Sequence, residues 1–549
     1  DGPPLGFVKK INRTPDEFAG DAAIRLGLRF PLINSLKIEQ LDIAATADVT
    51  NFTQQKAALG QDITDGKLAL KVDQRGAELN GTVTLAGAAA VVRVTRNFLA
   101  NAATLGQVKA KTTLDANARR ALGFDFAHYL DGRLPVDLTL TDQRGGRSDL
   151  LLDLVLSDAA LSIPEIEWSK ATGVPGTAQI RLALVDDRPT AITQFRASAA
   201  DLDVQGSATF AGDGRTIRRV QLDRAKAGLN DVRGSYERGD GSIAIDLTGD
   251  SINVGPLLRD KSPPQATRPR LQIKADLARV YLGPERTMDR VLVEGVRGVD
   301  RWEALSLQAL VGNADARNVG ISLREENGRQ RLDASAADGG ALLKVLDVTP
   351  NVVGGKIEVN GNSDPSQPEN PIIGSVHMTE FRVVNAPILA KVLSVALLTG
   401  IGDALRGEGI TFERLDANYV FRDPVLEIKD AQSSGPAIGI TARGNIDIGA
   451  ETIDLEGTLV PAYAINSLVG QIPLIGDILV GGKGSGLFAA NYRVSGTTAD
   501  PKVSINPLST IAPGFLRKLF NIFDGGTSPT GNEPRPDLGT PSGAPGTLR

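Results

Sequence analysis

The stretch Leu202-Asp203-Val204-Gln205-Gly206-Ser207-Ala208-Thr209-Phe210 decides the fold. Apolar or small residues at 202, 204, 206, 208 and 210 alternate with polar ones at 203, 205, 207 and 209. Successive side chains of a strand point to opposite faces, so this pattern describes a sheet with one apolar and one wet face. The same beat runs through Val136, Leu138 and Leu140, and through Ile243, Ile245 and Leu247. It returns in Ile438, Ile440, Ala442, Gly444, Ile446 and Ile448. So much one-sided sheet implies a long apolar surface, and what lies against that surface decides the function.

Turn chemistry separates the strands. Segments 68–72 and 77–85 flank Asp73-Gln74-Arg75-Gly76, 136–141 and 148–156 flank Asp142-Gln143-Arg144-Gly145-Gly146, and 319–324 and 330–334 flank Glu325-Glu326-Asn327-Gly328. Gly supplies positive φ and Asn or Asp tolerates it, so these read as antiparallel hairpins. No strict fixed-period repeat is present. Helices are few. One is expected over 115–122 and one over 340–346 after Asp338; the clearest covers 387–406, with Pro387 suited to a first helical turn. Leu393, Leu397, Leu398 and Ile401 belong to its apolar surface, which reads either as core or as a cap on a greasy groove. Segment 513–523 sets Phe515, Leu519 and Phe520 against Arg517 and Lys518, for membrane or partner contact or for packing. Segments 262–269 and 363–371 read as linkers or long loops, and the Gly/Pro/Ser/Thr-rich 524–549 as a disordered tail.

Composition narrows the chemistry. The 549 residues are 41% hydrophobic but only 4% aromatic, with a net charge of −5 and no basic stripe, which argues against nucleic acid. Zero Cys excludes thiolate metal sites, disulfides and thiol catalysis. The two histidines, His128 and His377, are far apart in sequence and read as structural or surface residues. No G-x-S-x-G elbow occurs, and Gly482-Lys483-Gly484-Ser485 fails the P-loop pattern. Gly484-Ser485-Gly486-Leu487-Phe488-Ala489 matches a dinucleotide fingerprint only by letter, because a strand follows it. Arg238-Gly239-Asp240 falls in a turn, and the carboxylates sit at alternate strand positions on the solvated face. No catalytic residue, cofactor or metal site is expected. No run of 18 apolar residues is present. The chain starts at Asp1, so it reads as a fragment or processed form, with any membrane anchor expected upstream.

Several stretches resemble a known family. Gly409-Ile410-Thr411-Phe412-Glu413-Arg414-Leu415, residues 438–459 (IGITARGNIDIGAETIDLEGTL), Val460-Pro461-Ala462-Tyr463 and residues 494–503 are similar to the AsmA-like C-terminal domain of Gram-negative envelope proteins. Residues 130–140 (LDGRLPVDLTL), 160–170 (ALSIPEIEWSK) and 338–355 resemble the central region of the YhdP branch of the AsmA/YhdP/TamB group. The resemblance implies a mainly β fold, an elongated, curved antiparallel sheet forming an apolar, taco-like groove, with a few short helices near the C-terminus. The expected segments are 1–114 as an N-terminal β-rich part of the groove, 115–370 as a central YhdP-like β-rich region, 371–523 as the AsmA-like domain with apolar helices, then the tail. It implies a non-catalytic periplasmic conduit, anchored to the inner membrane, that moves phospholipid between inner and outer membranes, with envelope proteins as further partners. Groove candidates are Leu202, Val204, Phe210, Ile243, Ile245, Leu247, Ile438, Ile440, Ile446 and Ile448. Gate or membrane-contact candidates are Leu393, Leu397, Leu398, Ile401, Phe515, Leu519 and Phe520. With ~25–30 strands at about 4.8 Å each, such a body extends roughly 120–145 Å. The competing expectations are a structural or regulatory envelope protein whose apolar faces close on each other as sandwiches, and a carbohydrate-active enzyme on a β-solenoid. The latter needs clustered carboxylates or aromatics that the sequence does not show.

Overall fold

The computed structural model describes residues 15–31, 33, 42–99, 101–259, 268–299, 301–312, 318–386, 389, 390, 393, 408–461 and 490–506. Strand dominates. Twenty-seven strands belong to one sheet, and three short ones, Leu130–Gly132, Ala159–Ile163 and Trp168–Lys170, form a second. The large sheet is open, not a barrel: its strand Phe18–Arg29 pairs only with Asp42–Ala58 among the described residues. The chain divides into two compact units, Asp1–Met378 and Thr379–Arg549.

In the first unit, neighbours in sequence are neighbours in the sheet. The expected hairpins form between Gln61–Val72 and Gly76–Leu85, Leu134–Gln143 and Arg147–Val155, and Val319–Glu326 and Arg329–Ala336. The last turns on Asn327 and Gly328, both at positive φ (54° and 75°), the twist a two-residue hairpin requires. Register shifts interrupt many ladders, and each bulge bends its strand, so the sheet curves.

One pairing breaks the antiparallel rule. Ser242–Asn253 runs parallel to Arg270–Gly283. A parallel neighbour needs a crossover of about a dozen residues or more, here residues 254–269. The segment 262–269, expected as a linker, belongs to this crossover; residues 260–267 lie outside the described residues.

Alternating strand directions put the chain reversals on two rims. One, the turn rim, carries turns and loops only, such as those at 73–75, 144–146, 186–187 and 240–241. The loop at 364–371 lies there too, closed by Asp364 N–H donating to Pro371 O at 2.9 Å. The other, the inserted rim, carries everything else: α1 (Ala116–Ala121), the small sheet, α2 (Gly255–Arg259) and α3 (Gly339–Val345). The parallel crossover is what keeps α3 on the same rim as α1; without it every later strand in the unit would run the other way.

Caps fix the two expected helices. The Asp115 carboxylate accepts from Ala118 N–H at 2.8 Å, and that of Asp338 from Ala341 N–H at 2.9 Å. The insertions then dry the ends of the strands beneath them. Trp168 packs with Ala199, Leu202 and Ala227, and Leu134, Val136 and Leu156 form the adjoining cluster. Trp168 Nε1 donates to Asp201 Oδ1 at 2.7 Å, and buried Lys170 donates to the carbonyls of Ala159 and Ala171 at 2.7 and 3.0 Å. Burial pushes the Lys170 ammonium below its usual pKa. Glu167 ties the small sheet to α2 through Arg259, and to the main sheet through Asn253 Nδ2 at 3.1 Å.

The second unit is a meander of Ile410–Arg422, Val425–Ser434, Ile438–Asp447, Thr452–Pro461, Ala490–Thr497 and Pro501–Asn506, all antiparallel. Phe381 and Phe412 stack in its core at 5.3 Å, with Ile410, Ile438 and Leu459 each 2% exposed or less. The helices α1, α2 and α3 fall in the first unit. Of the helix expected over 387–406, Leu389, Ala390 and Leu393 are described as helical.

Candidate functional site

Directly opposed residues in a sheet share a face, so the register shows what each face presents. One row can be followed strand by strand through the first unit. It reads Ile24, Ala47, Leu70, Leu79, Val94, Val108, Leu140, Leu150, Leu182 and Ile192. It continues through Ala208, Val220, Tyr236, Ile245, Ile273, Gly295, Leu305, Leu323, Leu332 and Gly361. Twenty strands contribute, and no residue in the row is charged. Nineteen steps of about 4.8 Å make roughly 90 Å of apolar surface along the sheet.

Burial divides this face in two. Toward the inserted rim the large side chains are closed off, as with Leu134, Leu202 and Val319 at 8%, 7% and 3% exposure. In the row itself, the large side chains from Leu70 to Leu332 remain half-buried. A sandwich would close a mid-strand row of Leu, Ile and Val under its second sheet. Among the described residues only the inserted rim is covered, and the rest of the face stays open.

The opposite face is polar and laced with exposed ion pairs, among them Lys111–Asp137 at 2.6 Å, Arg224–Asp203 at 3.1 Å and Lys274–Glu294 at 3.6 Å. Such pairs contribute little stability each; they keep this face wet. A concavity of about 460 Å³ on it is lined by Asp137, Asp153, Gln179, Arg196 and Asp203. Its carboxylates are engaged by Lys111, by Gln179 and by Arg224, so they are not poised as an acid/base pair. Among the described residues no three His, Asp or Glu side chains converge as metal ligands, and no helix is long and apolar enough to cross a membrane. His128 is exposed, edge-on to Tyr129 at 4.8 Å.

The six groove candidates of the first unit share the apolar face, at different depths. Phe210, Ile243, Ile245 and Leu247 are half-buried on the open part. Val204 packs partly against the Trp168 cluster, and Leu202 is inside it. Leu202 therefore belongs to the closed core, because the small sheet folds over that end of its strand. In the second unit, Ile440 opposes Leu459, and Ile446 sits between Leu426 and Ile453 on the same face. Ile438 is fully buried, and Ile448 lies past the strand end, 59% exposed. Leu393 has no exposed surface. Leu397, Leu398, Ile401, Phe515, Leu519 and Phe520, like segments 482–489 and 524–549, lie outside the described residues.

Two features escaped the sequence reading. Tyr492 reaches over Gly457 to donate to Thr441 O at 2.7 Å, and burial pushes its phenol up to about 12. Gly457 is required there, since a Cβ would stand 1.8 Å from that carbonyl. The second is the charge at the turn rim. On the apolar side of that edge stand Arg96, paired with Asp142 at 3.4 Å, then Arg238, Arg297 and Glu325.

No family model matches the chain, and no solved structure does. A curated protein does. The chain is similar to the intermembrane phospholipid transporter YhdP of Escherichia coli (strain K12), 23% identical over 209 residues. The match covers 34% of this chain and 16% of YhdP, so the likeness spans under a fifth of that protein's length. It links a third of the chain, distantly, to YhdP-like proteins, whose named example is a phospholipid transporter.

Proposed function

We propose that this chain is a non-catalytic conduit for phospholipid. Acyl chains lie on the open part of the apolar face while headgroups stay in water at the turn rim. The observation that carries this is the uncharged row across twenty neighbouring strands, its large side chains half-buried from Leu70 to Leu332. A lipid chain exposed to water costs about 0.8 kcal/mol per CH₂, so sixteen carbons face a barrier on the order of 12 kcal/mol. A continuous aliphatic surface removes most of it. Leu, Val, Ile and Ala hold a chain without fixing its position, so lipid advances in small steps. The likeness to YhdP, an intermembrane phospholipid transporter, supports phospholipid as cargo and traffic between membranes; a periplasmic setting with an inner-membrane anchor belongs to the same reading. On this reading segments 1–114 and 115–370 contribute the conduit, and 371–523 is an AsmA-like domain.

The test is direct. Chain purified without detergent and extracted with organic solvent should yield stoichiometric phospholipid. A folded chain that yields none contradicts a conduit and favours a structural envelope role.

A further inference from the structure

Arg297 closes the apolar face at the turn rim. It ends the strand Arg286–Arg297, opposite Leu271 on one side and Trp302 on the other, in line with Gly295 of the apolar row. Its Nε is buried and has no hydrogen-bond partner, and no ion pair reaches its guanidinium among the described residues. Acids nearby are taken: Glu303 is held by Arg270 at 2.8 Å and Glu294 by Lys274 at 3.6 Å. Several other arginines of the sheet are paired, such as Arg279 with Asp289 at 2.6 Å and Arg493 with Asp454 at 2.8 Å. A guanidinium partly withdrawn from water without a counter-charge is costly, and such orphans in folded proteins call for a cause.

The register supplies one. Arg238 lies in the same edge row, reached from Arg297 through Leu271 and Ile243, and is also unpaired among the described residues. The two cations stand three strands apart, about 14 Å along the sheet. Directly beneath them runs the apolar row through Tyr236, Ile245 and Ile273. A fixed anion above aliphatic surface is the chemistry of a phosphodiester on acyl chains. The guanidinium fork suits phosphate oxygens better than any other side chain does.

We infer that Arg297 receives the phosphate of a phospholipid whose chains lie on the apolar row, with Arg238 as a second phosphate contact along the rim. This rests on the conduit reading and names the group that reads the headgroup. The test loads the purified full chain with fluorescent phosphatidylglycerol and, separately, with diacylglycerol of the same chains. Arg297→Met keeps the aliphatic stem and removes the charge. It should lower phosphatidylglycerol retention on the order of tenfold and leave diacylglycerol unchanged, with Arg297→Lys in between. Excess inorganic phosphate should not displace the lipid. Equal effects on both lipids, or none on either, overturn the assignment, and displacement by inorganic phosphate overturns it in favour of a free-anion site. Should Arg297→Met fail to melt cooperatively, exposed Arg238→Gln carries the same comparison, and an unchanged ratio between the lipids overturns the proposal. If the unaltered chain retains neither lipid, the conduit itself fails.

Discussion

Replacing Leu247 by aspartate should empty the apolar face of lipid while the protein stays folded. Leu247 lies mid-strand, half-buried, opposite Gly234 and Ala275. Among the described residues no second layer covers it, so in the empty protein a carboxylate there remains hydrated. The expected loss of stability is that of part of one leucine's packing, about 1–2 kcal/mol. With lipid present, the same carboxylate would be pressed against acyl chains without a partner, at a cost of several kcal/mol. Phospholipid recovered per chain should therefore fall at least about tenfold, while the thermal melt shifts by only a few degrees. A collapse of the melt instead would show that Leu247 sits in a closed core.

Aspartate at Ile438 should do the reverse and unfold the second unit. Ile438 is 0% exposed at the start of its strand, opposite Pro461. Removing its side chain leaves a cavity and places an unpaired charge in a dry site, together roughly 4 kcal/mol or more. That is enough to melt a marginal unit. Ile446→Asp, eight residues along the same strand and half-buried between Leu426 and Ile453, should cost far less. Amide hydrogen exchange across residues 410–461 separates the two: fast throughout for Ile438→Asp, near-native for Ile446→Asp. Equal exchange in both variants would contradict the division into sealed and open parts.

Much of this was legible because the pleat forces it. A period of two over Leu202–Phe210 leaves the chain no better option than a one-faced strand. Asn327-Gly328 can hardly be anything but a tight hairpin, and Asp115 and Asp338 announce their helices by the donors they cap. What stayed hidden depends on packing between distant segments. Leu202 and Ile245 look alike in sequence; the difference is Trp168, brought over Leu202 by a sheet whose strands are too short to carry a period. The parallel pair was hidden because local pattern does not choose a strand's partner. Bulges such as that at Asn51 shift the register by one, so the continuous row emerges only from the ladders. Arg297 reads like any other strand arginine until the register puts it on the apolar side.

The most direct measurement places a photo-crosslinking residue in the living cell at Ile245, on the apolar row, and at Asp246, exposed on the polar face. A conduit predicts phospholipid adducts at 245 and none at 246. Adducts at neither position in a folded protein, or at both alike, would contradict it.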